Sequence, residues 1–100
     1  MYNPTDYVPN PIDTSDVVLP PEVDGLIEKL AENTHEVWAK NRQKQGWTFG
    51  FKRDDAKKET PCMLPYEMLD DSEKEYDRAT AYETLALICK LGYKIVKADE

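Results

Sequence analysis

Apolar residues recur every three or four positions along residues 21–45, which is the spacing of one face of an α-helix. Pro21 suits a first helical turn, and Gly46 suits the left-handed residue that ends a helix. Acidic residues lie near the start of this segment and basic residues near its end, as the helix dipole favours. The pattern predicts a first helix over about residues 21–45. The apolar positions of its stripe are Val23, Leu26, Ile27, Leu30, Val37 and Trp38.

A second helical pattern covers about residues 72–91. Ser72 and Glu75 have the spacing of a capping box, in which the serine hydroxyl accepts from the glutamate amide and the carboxylate reaches back. Gly92 is suited to stop the helix. This helix is apolar over most of its circumference, so we expect it to be the more buried of the two.

Two short stretches alternate in the manner of β-strands, at about residues 47–51 and 93–96. They could pair with each other, although strand partners cannot be read from one sequence. Residues 52–60 are charged and predict a loop. Pro61 and Pro65 keep the apolar residues between them from becoming helix, so an extended segment is expected to lie across the core.

The first 21 residues hold five of the seven prolines, which favours an extended arm over the surface. Ile12 and the apolar residues 17–19 are its expected anchors to the core. The sequence therefore predicts a helix-dominated α+β fold with two packed helices, short strands and a proline-rich N-terminal arm. We expect residues 1–11 to be a flexible arm and residues 12–97 to form a single domain.

The net charge of −7 is unevenly distributed. Residues 1–39 carry eight acids against Lys29 alone, whereas residues 40–58 carry seven bases against Asp54 and Asp55. The overall sign argues against duplex nucleic acid and anionic membranes as partners. The basic middle is either a solvated helix end and loop or a patch for a small anionic or acidic ligand.

No apolar run is long enough to span a bilayer, and the N-terminus has no signal-peptide pattern, so a cytoplasmic location is expected. Cys62 and Cys89 are then reduced thiols, and with His35 they are too few and too scattered for a zinc site. No nucleophile elbow, P-loop or other catalytic signature is present. We therefore expect a protein that is not an enzyme and has no cofactor.

One ridge of the first helix combines groups that could bind a ligand. Helical spacing places Ala31, His35, Trp38 and Arg42 on one shoulder beside the apolar stripe. An indole can stack on a base, and a guanidinium can hold a phosphate or carboxylate. The other interpretation is that Trp38 is a core residue, Arg42 caps helix carbonyls, and His35 has a structural role such as a hydrogen bond to a neighbouring segment.

Several short strings match the pattern of one known family in order and spacing. They are LAEN at 30–33, HEVWA at 35–39, QGWxFG at 45–50, RDD at 53–55 with Lys58, LPY at 64–66, EK at 73–74, YDR at 76–78, ETL at 83–85 and LGYxI at 91–95. The lead-in DTSDVVLP at 13–20 also looks like that of stand-alone bacterial members of this family. The chain resembles the ryanodine-receptor repeat (RyR domain) over roughly residues 12–96. Thr60 stands where the family often has histidine, and Phe49 where it often has tyrosine; neither departure undermines the fold.

The resemblance implies a compact α+β module without catalysis. In the ryanodine-receptor channels such repeats occur in pairs and act as regulatory modules. Paired repeats there are thought to hold an adenine nucleotide. Stand-alone members have been suggested to sense nucleotide derivatives. One repeat without a pore cannot itself be a channel. We expect a protein-interaction module, with a homodimer in place of the tandem repeat; the alternative is a nucleotide sensor. The resemblance implicates Trp38 and Arg42 in that sensor, to which we add His35 and Arg53.

Overall fold

The structure is a computed structural model that describes residues 3–98. Two helices, α1 (Asp24–Lys44) and α2 (Asp71–Lys90), pack against each other. Two short strands, β1 (Thr48–Phe49) and β2 (Glu59–Thr60), form a parallel pair. The predicted helix-dominated α+β fold is confirmed, while residues 1 and 2 of the predicted arm lie outside the described residues.

The start of α1 is later than its pattern predicts. Pro21–Val23 form a 3-10 turn, and regular α-helix begins at Asp24. At the other end Gly46 has a φ of 93°, which confirms it as the left-handed stop. The ammonium of Lys58 donates to the Gln45 carbonyl at 2.8 Å, so one base of the 40–58 segment caps this helix end. In the apolar stripe, Leu26 and Val37 are exposed, and the other members are buried or half-buried.

The capping box predicted at Ser72 is wrong. The helix begins at Asp71, so Ser72 already lies inside the first turn and cannot serve as the residue before it. Asp70 takes that place instead, and its carbonyl accepts from the amides of Glu73 and Lys74, both at 3.0 Å. The stop at Gly92 is confirmed by its φ of 101°.

Burial of α2 is one-sided, which corrects the expectation of a helix covered over most of its circumference. Ala81, Leu85 and Ala86 are buried, whereas Tyr76 and Leu91 are 72% and 61% exposed. Among the described residues α2 contacts α1, the N-terminal arm and the turn at Tyr66–Met68, where the Lys74 ammonium donates to the Glu67 carbonyl at 3.1 Å, and its burial is confined to these sides. No described helix is long and apolar enough to cross a bilayer.

The short strand pair differs from its prediction in partner and in length. The Thr48 amide donates to the Lys58 carbonyl at 2.9 Å, and the Gly50 amide to the Thr60 carbonyl at 3.2 Å. The partner of β1 therefore comes from a segment expected to be loop. The strand predicted at 93–96 is not formed: that segment leaves α2 and pairs with no described strand. Pairing of β1 with residues 59–60 closes a much shorter loop than pairing with residues 93–96 would, and a shorter loop costs less chain entropy.

The core lies between α1 and the segment that follows β2. Ala31, Tyr66 and Leu69 are buried together, and Cys62 and Leu64 pack against them. This arrangement confirms the prediction that the apolar residues between Pro61 and Pro65 cross the core. The small side chain of Ala31, fully buried, allows the Tyr66 segment to approach the helix closely.

The N-terminal arm is held by polar contacts rather than by all of its expected apolar anchors. Ile12 and Val18 are 55% and 90% exposed, so their predicted role is wrong. Instead the Thr14 hydroxyl donates to the Glu83 carboxylate at 2.8 Å. The Asp16 carboxylate accepts from the ammonium of Lys90, also at 2.8 Å. Val17 and Leu19 are half-buried and remain as apolar anchors.

Candidate binding site

His35 is the buried polar centre of the molecule. It projects from the middle of α1, is 5% exposed, and its Nε2 lies 2.6 Å from the Leu64 carbonyl oxygen. Because a carbonyl can only accept, Nε2 carries the proton. The imidazole also stacks on Trp38, with ring centres 5.4 Å apart, and tilts against Tyr66 at 6.3 Å. The predicted structural role of His35, a hydrogen bond to a neighbouring segment, is confirmed.

A cleft of about 360 Å³ opens beside this histidine, between α1, α2 and the segment that follows β2. It brings together three of the four residues predicted as ligand contacts, His35, Trp38 and Arg53. We call it the His35 cleft. Its lining residues are Thr34, His35, Trp38, Arg53, Thr60, Cys62, Leu69, Glu73, Tyr76 and Asp77.

Charges of both signs border the His35 cleft. Arg53 enters from the loop between the strands and pairs with Asp55 at 2.8 Å, and this contact raises the pKa of the guanidinium. Glu73 and Asp77 enter from α2. Burial raises the pKa of the Asp77 carboxyl. The nearby His35 has a smaller effect in the opposite direction. The cleft can therefore accept a ligand that carries a donor on one side and an anion on the other.

Cys62 is the thiol nearest to the candidate chemistry. It is half-buried in the wall of the His35 cleft, and burial raises its pKa. The carboxylate of Glu73 adds a smaller effect of the same sign. Because the thiolate is the reactive form, these surroundings favour an unreactive thiol.

Arg42, the fourth predicted residue, does not line the His35 cleft. Its guanidinium lies 5.3 Å from the centre of the Trp47 ring and donates to Gln45 at 3.2 Å. Arg42 and Trp38 instead border a separate shallow depression with Asn41 and Gln45. Trp38 thus contributes to both surfaces.

Trp47 lies beside the candidate site, and the sequence did not identify it as a site residue. The guanidinium of Arg53 lies 5.4 Å from its ring centre, so one indole holds two arginines, Arg42 and Arg53. Such contacts orient a guanidinium without neutralising it. Lys58 donates to the Gln45 carbonyl nearby, so three bases of the 40–58 segment lie around the end of α1.

Asp77 and Tyr76 are among the seven residues that line the His35 cleft and that the sequence did not identify as site residues. The only signal was the YDR string at 76–78, which belongs to the matched family pattern but does not indicate which face of a helix these residues share.

The family model named RyR domain matches residues 7–97. Since this match covers more than nine-tenths of the hundred residues, the chain belongs to the RyR domain family.

Proposed function

We propose that this chain is a non-catalytic, cytoplasmic binding module whose principal contact is with a second copy of itself. The observation that carries the proposal is the amount of apolar surface facing solvent. Among the described residues nine large apolar side chains are each more than 60% exposed, and they are Tyr7, Val8, Val18, Phe51, Met68, Tyr76, Leu91, Tyr93 and Val96. Apolar surface on this scale is typical of proteins that associate.

The dimensions of the chain support the same proposal. Its radius of gyration is 17.0 Å, whereas a compact chain of 100 residues is expected near ~13 Å. Seven apolar residues are buried in the described part, and none of the large side chains there is completely enclosed. Burial of apolar surface against a second molecule would contribute about 25 cal/mol per Å², so association would add to the stability of the single chain.

The absence of catalysis is part of the proposal, and two observations support it. His35 is 5% exposed and packed between Trp38 and Tyr66, so its unprotonated ring nitrogen has little access to a substrate. Cys62 is kept in its thiol form by burial.

The net charge of −7 bears on the partners of the chain, because it disfavours anionic lipid and nucleic acid.

Sedimentation velocity at protein concentrations from low micromolar to millimolar tests the proposal. We expect a concentration-dependent shift from the monomer to a species of twice its mass, because the exposed apolar surface would be buried in the dimer. A single species with the monomer mass at every concentration would contradict self-association. The same experiment at high salt should preserve the dimer if apolar burial provides most of its stability.

A second candidate function is recognition of an adenine nucleotide or its derivative, and the composition of the His35 cleft favours it. A base that enters the cleft could stack on the Trp38 indole in its wall. The exocyclic amine of adenine is a donor that suits the carboxylate of Asp77. Arg53, held on the ring of Trp47, could bind a phosphate. In this proposal Arg53 binds the phosphate, whereas the family resemblance implicates Arg42 in nucleotide binding.

Calorimetric titration with ATP, ADP-ribose and cyclic AMP tests the nucleotide candidate. We expect micromolar binding of at least one, and a loss of about tenfold or more in Arg53→Ala, since a charge-assisted bond to phosphate contributes about 1.5–3 kcal/mol. Arg53 is largely exposed, so this substitution should leave the fold intact. Arg42→Ala is the matched control, and it would weaken binding only if the ligand lies on the Trp38–Arg42 shoulder. No heat from any of the three up to millimolar concentration would exclude the candidate.

A further inference from the structure

One wall of the His35 cleft is acidic. Glu73 and Asp77 line it from one face of α2, where they are four residues apart. Side chains at this spacing are neighbours on a helix, and like charges there repel each other. The cleft, of about 360 Å³, is at the small end of the range of ligand pockets, which is about 300–1,000 Å³. A positive group between the two carboxylates would relieve their repulsion.

No base of the described chain neutralises these two carboxylates. Neither of them takes part in an ion pair in the part of the chain that the structure describes. Lys74, three residues before Asp77, is directed elsewhere, since its ammonium donates to the Glu67 carbonyl at 3.1 Å. Arg53 is the only arginine or lysine that lines the cleft, and its guanidinium is already in an ion pair at 2.8 Å. The negative charge of Glu73 and Asp77 is therefore available to a ligand.

The Cys62 thiol in the wall of the cleft is a second indicator of negative charge. Burial has the largest effect on the pKa of this thiol and raises it, and the carboxylate of Glu73 raises it further. Asp70 and Asp77 act in the same direction. A negative potential disfavours the thiolate, so these three effects indicate an excess of negative charge around the cleft.

His35 contributes an acceptor that has no partner. Its side chain is 5% exposed and lines the cleft, and its Nε2 proton is directed to the Leu64 carbonyl at 2.6 Å. Nδ1 therefore carries a lone pair, and no described residue donates to it. Among the described side chains only the Tyr66 hydroxyl is both unpaired and fully enclosed, so a small N–H group can still approach Nδ1. Burial raises the pKa of the Asp77 carboxyl most, and the imidazole lowers it, so these two groups are neighbours.

We propose that the His35 cleft binds a primary alkylammonium group, with Glu73, Asp77 and Nδ1 of His35 as its acceptors. A primary ammonium has three N–H donors and one positive charge, which matches two carboxylates and one unpaired lone pair. The rings of Trp38 and Tyr76 line the same cleft, and an aromatic face attracts a cation. This inference goes beyond self-association and does not depend on it, and it differs from the nucleotide candidate in the charge of the ligand.

Butylammonium tests the site, with n-butanol as a neutral control of similar size. Each is titrated into ¹⁵N-labelled chain at constant ionic strength, while the indole N–H of Trp38 and the amide of Asp77 are followed by NMR. We expect saturable shifts with butylammonium, at a dissociation constant of about 1 mM or below, and none with butanol. Equal responses to the two, or no saturation with butylammonium, overturn the inference. Saturation by ATP but not by butylammonium overturns it as well and leaves the nucleotide candidate standing.

Asp77→Asn keeps the size of the side chain and removes its charge. We expect this variant to bind butylammonium about tenfold more weakly or worse, because a charge-assisted hydrogen bond is lost. Asp71→Asn is the matched control, the same change at an exposed position of α2 outside the cleft, and its affinity should stay within about twofold. A folded Asp77→Asn with unchanged affinity, or an equal loss in Asp71→Asn, overturns the proposed contacts. If Asp77→Asn disturbs the fold, Glu73→Gln at an exposed residue applies the same criterion.

Spermidine and Nα-acetyl-lysine methylamide distinguish two sources of the same group, a free polyamine and the side chain of a partner protein. Both should compete with butylammonium, because each carries a primary ammonium on an alkyl chain. The one that binds more tightly identifies the source. Failure of both to compete overturns the inference, since recognition would then not depend on the ammonium group.

Discussion

Replacing His35 with alanine should lower the free energy of unfolding by about 3 kcal/mol. Two losses combine in this figure. The imidazole is 5% exposed and fills the space between Trp38 and Tyr66, so its removal leaves a cavity. The Leu64 carbonyl accepts from Nε2 at 2.6 Å and would be left in the core without its donor. For a domain of this size, whose total stability is on the order of 5–10 kcal/mol, the loss is severe.

Urea denaturation followed by circular dichroism measures this effect, with unfolding midpoints compared at a constant slope. Glu36→Ala is the matched control, because Glu36 is the exposed next residue of the same helix. It should change stability by no more than about 0.5 kcal/mol. His35→Gln retains a side-chain donor and should recover part of the loss. If His35→Ala costs less than about 1 kcal/mol, the contact with Leu64 does not hold the segment in place.

The helices could be predicted because their signals are local. Proline at the start of the first, the glycines Gly46 and Gly92, and the three-and-four spacing of apolar residues all act within a few positions. The capping box at Ser72 was also predicted from a local signal, and that prediction is wrong. Two adjacent acids precede it, and α2 begins two residues earlier than the capping pattern indicates, with Asp70 as the residue before the first turn.

Contacts between distant segments could not be predicted in this way. The pairing of β1 with residues 59–60, and the absence of a strand at 93–96, depend on which edge is reached at the smallest entropic cost. The arm illustrates a second difficulty. Val18 has the apolar character of an anchor, but Thr14 and Asp16 reach side chains on α2 that lie far away in sequence.

Half of the candidate site was accessible from helical geometry alone. His35 and Trp38 lie on one shoulder of α1 and do border the His35 cleft. Arg42 belongs to the same shoulder but turns to the ring of Trp47, because an aromatic face near a helix end attracts a guanidinium. Arg53 and Asp77 join the cleft from the strand loop and from α2, and no periodicity relates either to the first helix. Arg53 stays a predicted ligand contact, and Asp77 is one that we propose.

Gly50→Ala should destabilise the chain by about 2 kcal/mol through a clash between the two strands. A β-carbon at this position would lie 2.7 Å from the β-carbon of Glu59. The Glu59 atom is attached directly to the backbone and cannot rotate away, so the strands must separate. The Gly50 amide would then lose its 3.2 Å bond to the Thr60 carbonyl. Thermal unfolding followed by circular dichroism measures the loss.

Gly25→Ala is the matched control for this prediction, because a β-carbon there meets nothing within 4 Å. Gly25 lies in the first turn of α1, where alanine is favoured over glycine by up to ~1 kcal/mol, so the control should raise the melting temperature. Opposite signs for the same chemical change would show that close approach of Gly50 and Glu59 requires a glycine. Equal stability of Gly50→Ala and the unchanged chain would mean that the strands separate without cost. Because the second strand ends at Thr60, and Thr60 and Cys62 both line the His35 cleft, Gly50→Ala should also weaken the binding of any ligand there.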